Sequence, residues 1–111
     1  MAERMRRVNE AVREVVSARL AEGLRDPRIG FVTVTSVDTS PDLRQARVYV
    51  SVLGDEEQRA STMAGLRSAH GVLQLAVARE LRMKHTPTLE FHFDESIERG
   101  MRISELLGED E

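Results

Sequence analysis

Two alternating runs, 31-FVTVTSVD-38 and 44-RQARVYVSVL-53, stand only a few positions apart, and nothing else in the chain constrains its fold as much. Both are rich in β-branched residues and repeat with a period of two, the pattern of half-buried strands. Between them lies Thr39-Ser40-Pro41-Asp42, where proline after serine signals a type I turn. Strands joined this closely pair as an antiparallel hairpin. In the second run Ala46, Val48, Val50 and Val52 share one face, and Arg47, Tyr49 and Ser51 share the other. A sheet with one apolar face has to be covered, so the rest of the chain must supply the cover.

It supplies amphipathic helices. Over residues 5–24, Met5, Val8, Ala11, Val12, Val15, Val16, Leu20 and Leu24 fall on one stripe at helical spacing, and Gly23 with Asp26-Pro27 stops the run. A second helix starts after Gly54, where Asp55 and Gln58 make a capping box. Its stripe, Met63, Leu66, Ala69 or His70, Leu73, Ala76, Val77 and Leu81, runs to about residue 82. Gly71 interrupts this helix, although a glycine there costs about 1 kcal/mol relative to alanine. Thr86-Pro87 ends it, and 88-TLEFHFD-94 reads as a third strand with Leu89, Phe91 and Phe93 turned inward. The order is α-β-β-α-kink-α-β, an α+β sandwich with helices on one face of a three-stranded sheet. Residues 104–111, SELLGEDE, are expected to form a mobile acidic tail, with weak helical spacing at Ile103, Leu106 and Leu107 just ahead of and within it.

A chain of 111 residues fits one domain with one core. Its longest apolar runs are far too short to span a bilayer, and the N-terminal stretch lacks the apolar region of a secretory signal. With no cysteine, disulfides and thiolate metal sites are excluded, which suits a cytoplasmic protein. Reactive groups do not converge. Ser40 and Ser68 lack a plausible base, no glycine-rich nucleotide loop occurs, and His85, His92 and Asp94 make a poor metal set. The chain is expected to be non-catalytic, without metal, cofactor or small-molecule substrate, and without a membrane partner.

Charge is informative through its distribution. The net value is −3, yet residues 1–87 carry 14 Arg or Lys against 11 Asp or Glu, and residues 88–111 carry 2 against 8. The body is mildly basic and the end acidic. Arg67, Arg79, Arg82, Lys84 and His85 flank the interruption Ser68-Ala69-His70-Gly71, and Arg67, Arg79, Arg82 and Lys84 are expected to cluster there. A turn between two helices offers backbone N–H groups to an anion such as phosphate; equally, the helix can bend only to follow the sheet. Arg6, Arg7, Arg28, Arg44 and Arg47 are further candidates for nucleic-acid contact. The alternative reading is an adaptor that docks on protein through its Arg/Glu-rich first helix, without touching RNA.

Several stretches resemble the ribosome-binding factor A family of bacterial small-subunit maturation factors. These are 26-DPRIGFVTVTSVDTSPDLRQARVYVSVLG-54, the Ser68-Ala69-His70-Gly71 interruption, and 81-LRMKHTPTLEFHFDESIERGMRI-103. The resemblance implies a type II KH-like domain over residues 1–103, and binding to the immature small subunit at 16S rRNA during late processing, notably in the cold. It implies no enzyme activity and a chain that is a monomer when free. KH domains clamp single-stranded RNA with a GXXG loop between helices. Here Ala69-His70-Gly71 stands in its place, with alanine where the first glycine would be. The RNA-binding residues so implied are Arg67, Ser68, Ala69, His70, Gly71, Arg79, Arg82, Lys84 and His85, and Gly71 is expected to need a positive φ or to lie against RNA backbone.

Overall fold

The computed structural model describes residues 2–96. The expectations placed on Ile103 and on residues 104–111 lie outside them. The elements follow the expected order: α1 (Ala2–Glu22), β1 (Val32–Thr39), β2 (Gln45–Val52), α2 (Glu56–Ser68), α3 (His70–Leu81) and β3 (Thr88–Phe93). The strands form one sheet in the order β1-β2-β3, with β1 antiparallel and β3 parallel to β2. The result is the expected α+β layering, one sheet face under three helices and one open.

Burial alternates along β2 and β3 as a single covered face requires. Ala46, Val48 and Val50 are fully buried, Leu89 and Phe91 nearly so, while Arg47, Thr88 and Glu90 are exposed. The first strand breaks the pattern. Its register with β2 shifts between Val34 and Ser36, so Val34 and Val37, three residues apart, both reach the core. A bulge at Thr35 does this, because one extra residue moves every later side chain to the opposite face. The continuous alternation read from the sequence is therefore two short alternations joined at Thr35. Freed from the ladder, the Thr35 hydroxyl crosses the open face and donates to Asp94 Oδ2 at 2.5 Å.

The hairpin turn falls one residue beyond the expected Thr39–Asp42 span: Leu43 N–H donates to Ser40 C=O at 2.8 Å. Leu43 itself has φ 62°, the left-handed residue that closes four-residue hairpin loops. From the helices, Val12, Val16, Leu66, Leu73 and Val77 complete the core, each with essentially no exposed surface. The first helix lies on β1 and α3, and α2 lies on β2 and β3. The capping box at Asp55 forms as read: Gln58 N–H donates to Asp55 Oδ1, and Asp55 N–H to Gln58 Oε1, both at 2.8 Å.

The segment between α1 and β1 is pinned to α2. Thr62 Oγ1 accepts from Gly30 N–H at 3.2 Å and donates to Arg28 C=O at 3.3 Å. One turn on, Gly65 is buried, and a Cβ there would stand 2.6 Å from Ile29 Cγ1. Only glycine lets this loop lie on the helix. Gly65→Ala is expected to destabilise the protein by about 1–3 kcal/mol, as overpacking does elsewhere, despite alanine's better helix propensity. Urea unfolding measures this, and an unchanged or raised midpoint would show that Ile29 moves aside freely.

Candidate nucleic-acid interface

A single residue separates α2 from α3. Ala69, at φ −85° and ψ 5°, belongs to neither helix, and no side chain caps the start of α3. Backbone bonds continue across it, Ala69 N–H to Gly65 C=O at 2.9 Å and Leu73 N–H to Ala69 C=O at 3.2 Å. The break is thus a change of direction made by one residue in the bridge region. Gly71 lies one residue inside α3 without a positive φ, and a Cβ there would meet no atom within 4 Å. The expectation that Gly71 needs a left-handed backbone fails: within the folded chain it is an ordinary helical residue, exposed and unobstructed. The backbone is turned by Ala69.

Side chains hold the break on two sides. On one, Arg28 grips Asp26 with Nε to Oδ1 at 3.0 Å and Nη2 to Oδ2 at 2.6 Å, and Nη2 also donates to Ser68 Oγ at 2.9 Å. The Arg28 guanidinium, helped by its own backbone N–H, holds the Asp26 carboxyl down from its ordinary 3.8 to about 2. On the other side lies the outer edge of β3. Gln74 donates to Pro87 C=O at 2.8 Å and accepts from Leu89 N–H at 2.9 Å. His70 Nε2 lies 2.9 Å from Leu89 C=O, and since a carbonyl only accepts, Nε2 carries the proton. Arg67 Nη2 reaches Phe91 C=O at 3.4 Å, and the His70 ring meets Phe91 edge-on. Together these side chains occupy four of the main-chain groups that the edge strand leaves open, Pro87 C=O, Leu89 N–H and C=O, and Phe91 C=O.

The structure therefore divides the residues singled out from the sequence. Arg67 and His70 direct polar groups to the β3 edge, and Ser68 accepts from Arg28 at the surface. Arg79 and Arg82 line a different surface, a groove of about 720 Å³ between α1 and α3 with Ala11, Glu14, Val15 and Ala18. Arg79 stands nine residues past His70, about 14 Å along the helix axis. The basic residues expected around the kink do not converge there; they lie at the two ends of α3. Arg79, Arg82, Lys84, Arg44 and Arg47 have no acidic partner within 4 Å among the described residues, whereas Arg6 and Arg7 pair with Glu3, Arg13 with Glu10, and Arg28 with Asp26. His85 is exposed beside Lys84, and Arg47 stands on the open sheet face, in register with Asp38 and Glu90.

Sequence reasoning missed Gln74, Val72 and Leu75. Gln74 was legible as a polar residue lodged between Leu73 and Leu75. Val72 and Leu75, 55% and 50% exposed, lie off the core stripe, and helical spacing puts them on the same side of α3 as Arg79.

A family model for Ribosome-binding factor A matches residues 4–107. Ribosome-binding factor A of Geobacter sulfurreducens is 48% identical over 109 residues, 98% of this chain and 92% of that protein. The crystal structure of ribosome-binding factor A from Thermus thermophilus is similar with a TM-score of 0.68 and 30% identity, over 79% of this chain and 93% of that one. A Thermus thermophilus homology model, fitted into the cryo-EM map of a 30S–ribosome binding factor A complex, matches with a TM-score of 0.64 and 30% identity, over 78% and 91%.

Two outcomes follow from the geometry. Because Gly71 is unobstructed and helical, Gly71→Ala is expected to raise stability by up to about 1 kcal/mol in a thermal melt; a loss would reveal a constraint that the folded backbone does not display. For Asp26, the lowered folded pKa means that its charge stabilises the fold above the ordinary value and that this contribution fades as pH falls from about 4 toward 2. Asp26→Asn is expected to flatten that part of the stability–pH curve, and an unaltered acid limb would remove Asp26 from the network holding the kink.

Proposed function

The chain belongs to the ribosome-binding factor A family, and we propose on that premise that it binds the immature small ribosomal subunit at 16S rRNA and assists late rRNA processing, notably at low temperature. It acts in the cytoplasm as a non-catalytic binding factor and is a monomer when free. The likeness to a chain fitted into a 30S complex supports the choice of subunit.

The observation that carries direct RNA contact is the outer side of α3. Arg79 and Arg82 are exposed there without acidic partners among the described residues, Lys84 follows, and Gly71 leaves the helix backbone bare at the other end. In this reading Arg67, Ser68, Ala69 and His70 contribute mainly by setting the angle between the helices, and Lys84 and His85 extend the cationic end. Arg44 and Arg47 are further contacts, while Arg6, Arg7 and Arg28 already have carboxylate partners.

Phosphate contacts release counterions, so binding should weaken steeply with salt. Arg79→Glu with Arg82→Glu is expected to weaken binding to precursor small subunits by at least about tenfold and to reduce the salt dependence. Sedimentation with precursor subunits across a salt series, beside a melting curve, provides the measurement. Unchanged binding by a folded double variant would move the contact to α1 and its partner to protein.

A further inference from the structure

We propose that the free end of β1 is a second docking surface, one that takes an extended, basic segment of a protein as an added strand. It lies at the opposite edge of the sheet from β3 and does not depend on RNA contact at α3.

The two ends of β1, an edge strand, are treated differently. Leu53 N–H donates to Phe31 C=O at 3.0 Å, so Phe31 and Leu53 form a hydrogen-bonded pair across the hairpin. Antiparallel pairs alternate, which makes Val32–Val52 and Val34–Val50 the pairs whose main-chain groups point away from the facing strand. Val50 follows this rule: its C=O accepts from Asp94 N–H, on the β3 side. Val32 N–H and C=O and Val34 N–H therefore point out of the sheet at its free edge. No side chain among the described residues bonds to them. At the far end, Thr39 N–H donates to Asn9 Oδ1 at 2.9 Å, and the bulge at Thr35 interrupts the ladder between. Blunting of the edge thus stops short of Phe31.

That open end also holds the two most exposed large apolar side chains of the described residues, Phe31 at 80% and Leu53 at 75%. The chain ahead of Phe31 is fixed, since Gly30 N–H bonds to Thr62. A hollow of about 380 Å³ lies between β1 and the end of α1, with Leu20, Ala21, Phe31 and Val34 among its walls. A second, of about 500 Å³, extends from Phe31 and Leu53 to Asp55 and Glu57. Both include Gly30 and Phe31, so a strand paired with Val32 and Val34 runs on past Phe31 to those carboxylates.

Charge selects the occupant. Asp55, Glu56 and Glu57 begin α2, and none has a basic partner within 4 Å among the described residues. The one cation lining the second hollow, Arg28, is already paired with Asp26. Three carboxylates outweigh the roughly half positive charge of a helix N-terminus, so a phosphate backbone is repelled here. An extended peptide carrying lysine or arginine beside apolar residues is served in full. It finds main-chain partners at Val32 and Val34, an apolar anchor at Phe31 and Leu53, and carboxylates beyond.

The test follows the backbone amides of the full chain by NMR as a short peptide alternating lysine with valine is added, beside one alternating glutamate with valine. The basic peptide is expected to shift the Val32 and Val34 amides and slow their hydrogen exchange, and to bind at least about tenfold tighter than the acidic one. Phe31→Ser is expected to weaken that binding severalfold with the melting temperature unchanged, and Glu57→Lys to reduce the preference for the basic peptide. Val32→Pro removes an outward N–H without taking a bond from the ladder; it is expected to abolish binding, while Val32→Ala, which keeps that N–H, still binds. No response of Val32 and Val34 to either peptide would overturn the inference, as would undiminished binding by both Phe31→Ser and Val32→Pro. A dimer in sedimentation that Phe31→Ser dissolves would make a second copy the occupant and overturn it too. The same holds for a short single-stranded RNA that shifts these amides as strongly as the basic peptide.

Discussion

The sheet is too short for the helix that has to cover it. Residues 56–81 as one straight helix would reach about 39 Å, whereas strands of six to eight residues run about 20–26 Å. An unbroken helix would leave its second half beyond the sheet, with Leu73, Ala76 and Val77 uncovered. Breaking at Ala69 sends α3 back against α1 and β3, so that Leu66 and Leu73 are both fully buried in one core. Burying a leucine side chain contributes about 1.5–3 kcal/mol, which exceeds the propensity cost of one exposed glycine. The kink is first a packing solution, and its angle follows from the core.

Once the helix breaks there, its polar residues meet the edge of β3. Arg67, His70 and Gln74 arrive opposite Phe91, Leu89 and Pro87 because the two helices present one side to the strand on either side of Ala69. A buried main-chain group left without a partner costs about 1–3 kcal/mol, so these contacts explain why polar residues sit beside an apolar stripe. They also cover the first part of the β3 edge, from Pro87 to the Phe91 carbonyl. Arg67, Ser68 and His70, which look like a binding motif in the sequence, have side-chain partners within the fold.

This division explains what could and could not be read in advance. The hairpin, the capping box, the third strand and the helical stripes are local or periodic, and the structure follows them closely. The bulge was harder, because Val34-Thr35-Ser36-Val37 satisfies β propensity in either register and only the burial of Val37 shows where the pattern slips. Gly71 misled because a glycine in a helix invites a conformational explanation, while the residue that turns the chain is an alanine of ordinary appearance. Arg28 and Ser68 are forty residues apart, and no local pattern announces their bond. The distance of Arg79 from the kink follows from helical rise alone, since residues close in sequence along a helix are not close in space.

The arginines of α1 and α3 differ in what a distant phosphate senses. On α1, Arg6 and Arg7 share Glu3, Arg13 meets Glu10 and Arg19 meets Glu22, all exposed pairs at helical spacing. Such pairs contribute at most about 1 kcal/mol and do not lock either partner. Beyond the Debye length of about 8 Å at physiological salt, however, a paired arginine and glutamate largely cancel. At the end of α3 only Glu80 interrupts Arg79, Arg82 and Lys84, and none of the three has a carboxylate within ion-pair distance among the described residues. These three, with Arg44 and Arg47, are therefore cations of the described residues whose field is not cancelled at that range by an ion-paired carboxylate, a local feature that the net charge of −3 for the whole chain hides.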